Sequence, residues 1–202
     1  MAQTSREIVR RCLKFETPER LPRELWALPW AMEHLKPFID EANRRFPGDM
    51  GGPANVYRPS QKVKGDQYGL GDYIDEWGCT FTSIQKGLIG EIRKPLLPDL
   101  EDWKQVKPPY DTLPDNPGKA RDEVNRSCAA STLFMRANCC PRPWERYQFI
   151  RGSEESMVDM MMQEPGTLGL LNAIHDFHMK ELEFWVKTDV DAIGFMDDWG
   201  SQ

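Results

Sequence analysis

Two adjacent carboxylates, Asp197 and Asp198, follow the apolar run 190–196. Folds that alternate strands and helices place their functional side chains at the carboxyl ends of buried strands, so this pair suits acid–base chemistry or the anchoring of a substrate. Successive side chains of a strand point to opposite faces, and we therefore expect only one of the two to enter a pocket. The alternative is a structural turn in which an aspartate caps a helix, and the spacing alone leaves both open.

A second acidic cluster, Asp75-Glu76-Trp77, combines carboxylates with an aromatic ring. A solvated turn with Trp77 packed on the core is the favoured interpretation, because acidic side chains are mostly exposed, and a substrate site is the alternative. Four arginines cluster around the end of the apolar run 132–138 and the helix predicted after it: Arg136, Arg142, Arg146 and Arg151. Guanidinium groups bind carboxylates and phosphates, so this cluster could bind an anionic substrate. For Arg142 and Arg146, a helix face with internal ion pairs is the favoured interpretation.

The cysteines and histidines do not predict a metal site. Cys139 and Cys140 are adjacent, whereas zinc-binding cysteines are usually about two to four residues apart. His175 and His178 would share one face of a helix, with Glu181 as the third ligand nearby. Because this is not a full ligand set, packing or surface roles are favoured, and we predict no metal-binding residues in this chain.

The elements that position these residues alternate between strands and helices, which predicts an α/β fold with a parallel sheet. A capping box, Thr4-x-x-Glu7, predicts a first helix that ends before Pro18. Roughly four core strands fall short of the eight of a closed barrel. We predict strands at 25–28, 132–138 and 190–196, an outer hairpin over about 73–93 (extended from 73 to 82, returning at 88–93), and helices at 30–46, 143–151, 153–163 and 166–187.

Composition bounds the class of protein. The chain has 202 residues and a formal net charge of −6, with a pI of about 5.2, so we expect no nucleic-acid partner. No apolar run reaches the roughly 18 residues of a membrane span, and the first residues lack the apolar core of a secretory signal. Five irregularly spaced cysteines are typical of a cytoplasmic protein with reduced thiols.

Several ordered segments together resemble the uroporphyrinogen decarboxylase family. Their order and spacing match across nearly the whole chain, and the family fold is a (β/α)8 TIM barrel. The resemblance therefore implies that residues 1–202 form a single incomplete barrel domain, the N-terminal part of a longer protein, truncated after a mid-barrel strand. The segments that carry it are Ser5–Val9 with Phe15–Pro22, Tyr73–Gly78, Leu133–Trp144 with its Pro143-Trp144 turn, and Val190–Gly200.

The resemblance implies one of two chemistries. Decarboxylases of the family remove carboxyl groups from the acetate arms of a tetrapyrrole in porphyrin biosynthesis, without a cofactor. Their relatives are zinc-dependent methyltransferases that move methyl groups between a corrinoid protein and a thiol. By resemblance, Asp198 and Asp75 are the catalytic residues. The implied substrate-binding residues are Arg136, Asn138, Trp144, Tyr147, Trp199 and Gln202.

One segment departs from the decarboxylase pattern. Where the decarboxylases carry an Arg-Gln-Ala-Gly-Arg run, this chain has Leu25–Trp30, and no arginine lies between Arg23 and Arg44. Losing that cationic clamp would weaken the binding of a polycarboxylate by several kcal/mol. The departure favours the methyltransferase-like branch or an uncharacterised relative, with the decarboxylase proper and a non-catalytic fragment or binding domain as alternatives.

The expected ligands and partners follow from this assignment. We expect a small-molecule substrate of the tetrapyrrole or corrinoid class, a corrinoid protein as partner, and no cofactor within the chain. Zinc is expected in the complete protein if it is methyltransferase-like, on residues beyond Gln202. An open partial barrel exposes sheet edges and apolar faces, so we also expect self-association. The chain alone is expected to be inactive.

Overall fold

The structure is a computed structural model that describes residues 2–198. These residues form two compact units. The first unit comprises 2–56, Asp115–Cys140 and Phe184–Gly194, and the second comprises Tyr57–Pro114, Pro141–Glu183 and 195–198. The helices are α1 Ser5–Leu13, α2 Pro29–His34, α3 Lys36–Arg45, α4 Pro117–Ala129, α5 Pro143–Arg151, α6 Ser153–Met162 and α7 Pro165–Trp185; the strands are β1 Met50–Gly51, β2 Gly71–Ile74, β3 Thr80–Ser83, β4 Glu91–Ile92 and β5 Phe134–Met135.

The first helix, α1, is confirmed. Its capping box is complete, because the Thr4 hydroxyl accepts from the Glu7 backbone N–H at 3.2 Å and the Thr4 backbone N–H donates to the Glu7 carboxylate at 2.7 Å. The two bonds satisfy orphan donors of the first turn. The helix buries Ile8 and Val9 in the first unit.

The segment after α1 differs from the prediction. The predicted helix 30–46 is split at Leu35 into α2 and α3. Pro37 fits the first turn of α3, because the backbone N–H that proline lacks would have no partner within the helix at that position. Inside a continuous helix, the same proline would remove a hydrogen bond and clash with the preceding turn. The predicted strand 25–28 is wrong, since these residues have no regular structure and Trp26 is 75% exposed.

The first unit contains a short parallel layer. β1 pairs with β5 in parallel, with Met50 opposite Phe134 and Gly51 opposite Met135. A parallel bridge between Arg136 and Ala192 extends the layer. The predicted strands 132–138 and 190–196 thus contribute one short strand and one bridge, and β1, which was not predicted, pairs with β5.

Helix α4 has no counterpart among the predicted elements. It begins with Pro117 after Asn116, whose side-chain oxygen accepts from the Lys119 backbone N–H at 3.0 Å. A proline in the first turn after an asparagine cap is the usual signal for a helix start. It buries Ala120, Val124 and Cys128, one residue per turn.

The second unit contains an antiparallel sheet of order β2-β3-β4. The hairpin predicted over 73–93 is present, but its first segment is not one continuous strand. β2 ends at Ile74 and β3 begins at Thr80, and the two pair with Tyr73 opposite Phe81. The core of this unit also receives side chains from α5 and α7; its buried members are Trp77, Cys79, Phe81, Leu97, Val106, Tyr147, Ile150, Leu170, Ile174 and Phe177.

The described residues make this an α/β protein. Residues 2–198 hold one parallel layer and one antiparallel sheet and form no closed barrel. Within the same residues, no helix combines the length and apolarity that crossing a bilayer requires. The predicted helices 143–151, 153–163 and 166–187 correspond to α5, α6 and α7.

Candidate functional site

The carboxyl edge of the parallel layer brings together two of the predicted substrate-binding residues, Arg136 and Asn138. The Asn138 side-chain amide donates to the carbonyls of Pro53 and Ala54 at 3.1 and 3.4 Å. A Cβ atom on Gly52 would lie 2.8 Å from the Asn138 side-chain oxygen. Asn138 therefore holds the loop that follows β1 in close contact with the end of β5.

Arg136 presents a positive charge at the same edge. Its backbone N–H donates to the Gly51 carbonyl at 2.8 Å, which fixes its position in the layer. Its guanidinium donates to the Glu24 carboxylate at 3.0 Å, and the two side chains are 48% and 39% exposed. A half-exposed ion pair of this kind is weak. An anionic group of a ligand could therefore displace Glu24 at small cost.

Below this edge, Asp191 is a buried carboxylate that the sequence reasoning did not single out. It accepts from the Met135 backbone N–H at 2.7 Å and from Arg6 and Arg10 at 2.9 and 2.5 Å, and its side chain is 1% exposed. A signal was present in the sequence, since an aspartate inside an apolar run must find charged or N–H partners when the run is buried. Asp191 ties α1 to β5.

Asp49, just before β1, is a second such carboxylate. It is fully buried and accepts two bonds from the Arg20 guanidinium, both at 2.6 Å, and one from the Arg23 backbone N–H at 2.8 Å. The hydrogen bonds from Arg20 hold the pKa of Asp49 at about 2. The arginine of the Phe15–Pro22 segment thus fixes the chain beside β1.

In the second unit, Asp75 makes the turn that separates β2 from β3. Its Oδ1 atom accepts from the backbone N–H groups of Trp77, Gly78 and Cys79 at 3.0, 2.9 and 2.8 Å. Gly78 has a φ of 98°, a conformation that favours glycine. The other oxygen of Asp75 pairs with the buried Arg146 guanidinium.

Arg146 is enclosed by aromatic rings as well as by carboxylates. Its guanidinium carbon lies 5.2 Å from the Trp77 ring centre and 5.4 Å from that of Phe149. A second nitrogen lies 3.3 Å from the Glu76 carboxylate. The bonds of Asp75 hold the turn between β2 and β3 and balance the Arg146 charge, which is a structural role. Its predicted catalytic role stays a prediction.

The neighbouring carboxylates Asp197 and Asp198 have different environments. Asp197 accepts from the backbone N–H groups of Trp144 and Glu145 at 2.9 and 2.8 Å and so caps the start of α5. A structural turn whose aspartate caps a helix was one of the two alternatives for this pair, and α5 lies earlier in the chain than Asp197. Asp198 is exposed, and its predicted catalytic role stays a prediction.

Tyr147 lies in the core of the second unit. It is fully buried, and its hydroxyl donates to Asp159 at 2.8 Å. Arg151 donates two further bonds to Asp159, at 2.7 and 2.9 Å. Burial and the bond to Asp159 raise the pKa of Tyr147 above its ordinary value. The structure gives this side chain a packing role, and a substrate contact by Tyr147 stays a prediction.

The remaining predicted site residues have simpler placements. Trp144 is partly buried, with its ring stacked 6.0 Å from that of Tyr147. Trp199 and Gln202 lie outside the described residues. Arg136 and Asn138 belong to the first unit, and Asp75, Trp144, Tyr147 and Asp198 belong to the second.

A buried histidine in the second unit bonds to a carboxylate. His178 and Glu181 are joined at 2.8 Å, and the Tyr57 hydroxyl donates to Glu181 at 2.9 Å. His175, three residues earlier, is exposed. In the part of the chain that is described, no group of three or more His, Cys, Asp or Glu side chains is arranged to hold a metal ion.

Comparison of the chain with models of protein families, with curated proteins and with solved structures finds no match.

Proposed function

We propose that the chain is the N-terminal part of an enzyme of the uroporphyrinogen decarboxylase type, in the methyltransferase-like branch, with a corrinoid as its substrate. One observation carries the proposal: Arg136 and Asn138 lie together at the carboxyl edge of parallel strands. This edge is where α/β folds bind their ligands. In the proposal the parallel layer is part of a (β/α)8 barrel completed by further chain.

The two side chains suit a corrinoid in different ways. The Arg136 guanidinium can bind a phosphate or the oxygen of an amide arm, since Glu24 is a weak and half-exposed competitor. Asn138 uses its N–H groups on the Pro53 and Ala54 carbonyls, so its role is to position the loop that follows β1.

The segment 25–30 supports the methyltransferase-like branch over the decarboxylase. It presents apolar side chains at the surface, with Leu25 51% and Trp26 75% exposed, where the decarboxylases have arginines. A corrin ring offers a large apolar face to such a surface, whereas a polycarboxylate requires cations. Phe38 of the same unit is also exposed, at 76%, and exposed apolar side chains support the expected self-association.

Zinc supplies the thiol activation in the methyltransferases of this type. The described residues provide no ligand set for it. We therefore propose zinc only for the complete protein, on residues outside the described part, and derive no step through it. A corrinoid protein remains the proposed partner.

The experiment is an absorbance titration of the chain with hydroxocobalamin and, separately, with uroporphyrin. We expect saturable binding of the corrinoid, weakened about tenfold by Arg136→Gln. Arg45→Gln is the matched control, because Arg45 is a surface arginine of the same unit, 63% exposed and paired with Glu41.

Three outcomes would contradict the proposal. Tighter binding of uroporphyrin that depends on Arg136 would favour the decarboxylase. Binding of neither compound would favour a non-catalytic domain. Equal losses in Arg136→Gln and Arg45→Gln would show that binding reflects net charge and not the strand edge.

A further inference from the structure

Helix α6 buries polar side chains and exposes apolar ones. Its buried residues are the polar Ser156 and Asp159, at 0% and 5% exposure. After its polar first turn, the exposed residues of the helix are apolar and include Met157 at 54%, Met161 at 83% and Met162 at 64%. A helix on the surface of a single folded unit normally shows the opposite arrangement.

The polar side of α6 explains why the helix keeps this orientation. Asp159 accepts three hydrogen bonds, from Arg151 at 2.7 and 2.9 Å and from Tyr147 at 2.8 Å. The Ser156 hydroxyl donates to the Gly152 carbonyl at 2.6 Å. Turning the helix to bury its exposed methionines would break the bonds of Asp159 to α5 and leave the buried Arg151 charge without its main partner. The ion pair therefore holds the methionines toward the surface.

Four exposed apolar side chains share one face of α6. Positions 158, 161 and 162 lie one, four and five residues after position 157, so the four side chains share a helix face. Leu168, in the first turn of α7, is a further exposed apolar residue, at 63%. We call these five residues the methionine face: Met157, Val158, Met161, Met162 and Leu168.

The segment that carries the methionine face has charges of a single sign. The sequence from 152 to 179 contains no lysine or arginine. Glu154, Glu155 and Glu164 of this stretch are exposed. Methionine side chains are flexible and polarisable and adapt to varied apolar partners.

We propose that the methionine face binds a basic amphipathic helix of a partner protein. The apolar side of such a helix would cover the methionines, and its lysines or arginines would lie against the three glutamates. A second copy of this chain would bring six carboxylates together, and an anionic membrane surface would repel them. The cationic helix is the occupant that satisfies both the methionine face and its charge. This proposal is independent of the corrinoid chemistry.

The probe is an 18-residue peptide of leucine and lysine with its leucines on one helical face, labelled with fluorescein. Titration of the chain is followed by fluorescence anisotropy at low and high salt. We expect saturable binding that weakens with salt, and no binding of the matched peptide in which glutamate replaces lysine.

The decisive variant is Met161→Ser/Met162→Ser, which leaves every charge in place. We expect it to weaken binding about tenfold. The control is Met179→Ser, since Met179 is a 41% exposed methionine that lies eleven residues beyond Leu168 along α7. All three side chains are exposed, so circular dichroism and the melting temperature of both variants should match those of the parent chain.

The proposal is overturned if the double variant binds the leucine–lysine peptide as tightly as the parent does. It is equally overturned if sedimentation shows a dimer that the double variant abolishes, which would make a second copy the occupant. Binding to phosphatidylserine vesicles that is lost in the double variant would instead identify a membrane.

Discussion

The Asp75→Asn substitution separates a structural role of this carboxylate from a catalytic one. The asparagine side-chain oxygen can still accept from the backbone N–H groups of residues 77–79, so the turn is kept. The charge that balances Arg146 is lost, while Arg146 itself stays buried. The substitution therefore tests the ion pair and little else.

The expected loss can be worked out from the geometry. Removing one partner of a buried ion pair costs about 3–5 kcal/mol of unfolding free energy. Glu76, 3.3 Å from the Arg146 guanidinium and 37% exposed, still offers partial compensation. We therefore expect about 3 kcal/mol for Asp75→Asn. Asp75→Ala also removes the acceptor of three N–H bonds and should cost about 2 kcal/mol more.

The assay is urea unfolding at neutral pH, followed by tryptophan fluorescence. Asp72→Asn is the matched control, because Asp72 is exposed and its single bond to Thr82 is on the surface; it should change stability by less than about 0.5 kcal/mol. The double variant Asp75→Asn/Arg146→Met removes both charges and should recover most of the loss. An Asp75→Asn protein with parental stability but no ligand binding would refute the structural reasoning and support the catalytic role.

Three further predictions concern other groups. Asp197→Ala should lower the unfolding free energy by about 1 kcal/mol in the same assay, because α5 loses its cap, while Asp198→Ala should have no measurable effect. The pKa of Asp49 is depressed to about 2, so its stabilisation is present above about pH 4 and is lost as the pH falls toward 2. The parent should therefore exceed Arg20→Gln by about 2 kcal/mol at pH 6, and urea titrations should show this gap closing at pH 2. Burial raises the pKa of the Cys79 thiol to about 12, so labelling at pH 8 with detection by mass spectrometry should modify Cys79 only after unfolding.

Locally encoded elements were predicted well from the sequence. The capping box at Thr4 satisfies backbone groups within a few residues, so the pattern and the structure coincide. The start of α5 was also predicted, although its backbone N–H groups are satisfied by the distant Asp197. The split of 30–46 at Leu35 and the asparagine-capped start of α4 are also encoded locally, by prolines and a cap that the apolar spacing does not show.

Pairing between distant segments was not predictable in the same way. The run 25–28 has the composition of a buried strand, but the backbone N–H groups of Phe134 and Arg136 donate to the carbonyls of Asp49 and Gly51, so that β1 and not 25–28 lies beside β5. An apolar run indicates that burial of the segment is favourable. It does not indicate which other segment provides the backbone hydrogen bonds that make it a strand.

The candidate site shows the same limit. The positions of Arg136 and Asn138 at a strand end follow from strand–helix alternation, which the sequence displays. The bonding of Asp75 and Tyr147 to Arg146 and Asp159 depends on tertiary packing, which no spacing rule encodes.

The bonds of Asp191 have a consequence for the making of this protein. Arg10 and Asp191 are 181 residues apart in the chain, so the carboxylate that anchors α1 leaves the ribosome long after the helix does. At about 5–20 residues per second, the interval is about 10–35 s. During that time Arg6 and Arg10 lack the carboxylate with which they pair in the folded unit. The ion pairs that anchor α1 in the first unit therefore form only after residue 191 has been synthesised, long after the helix itself.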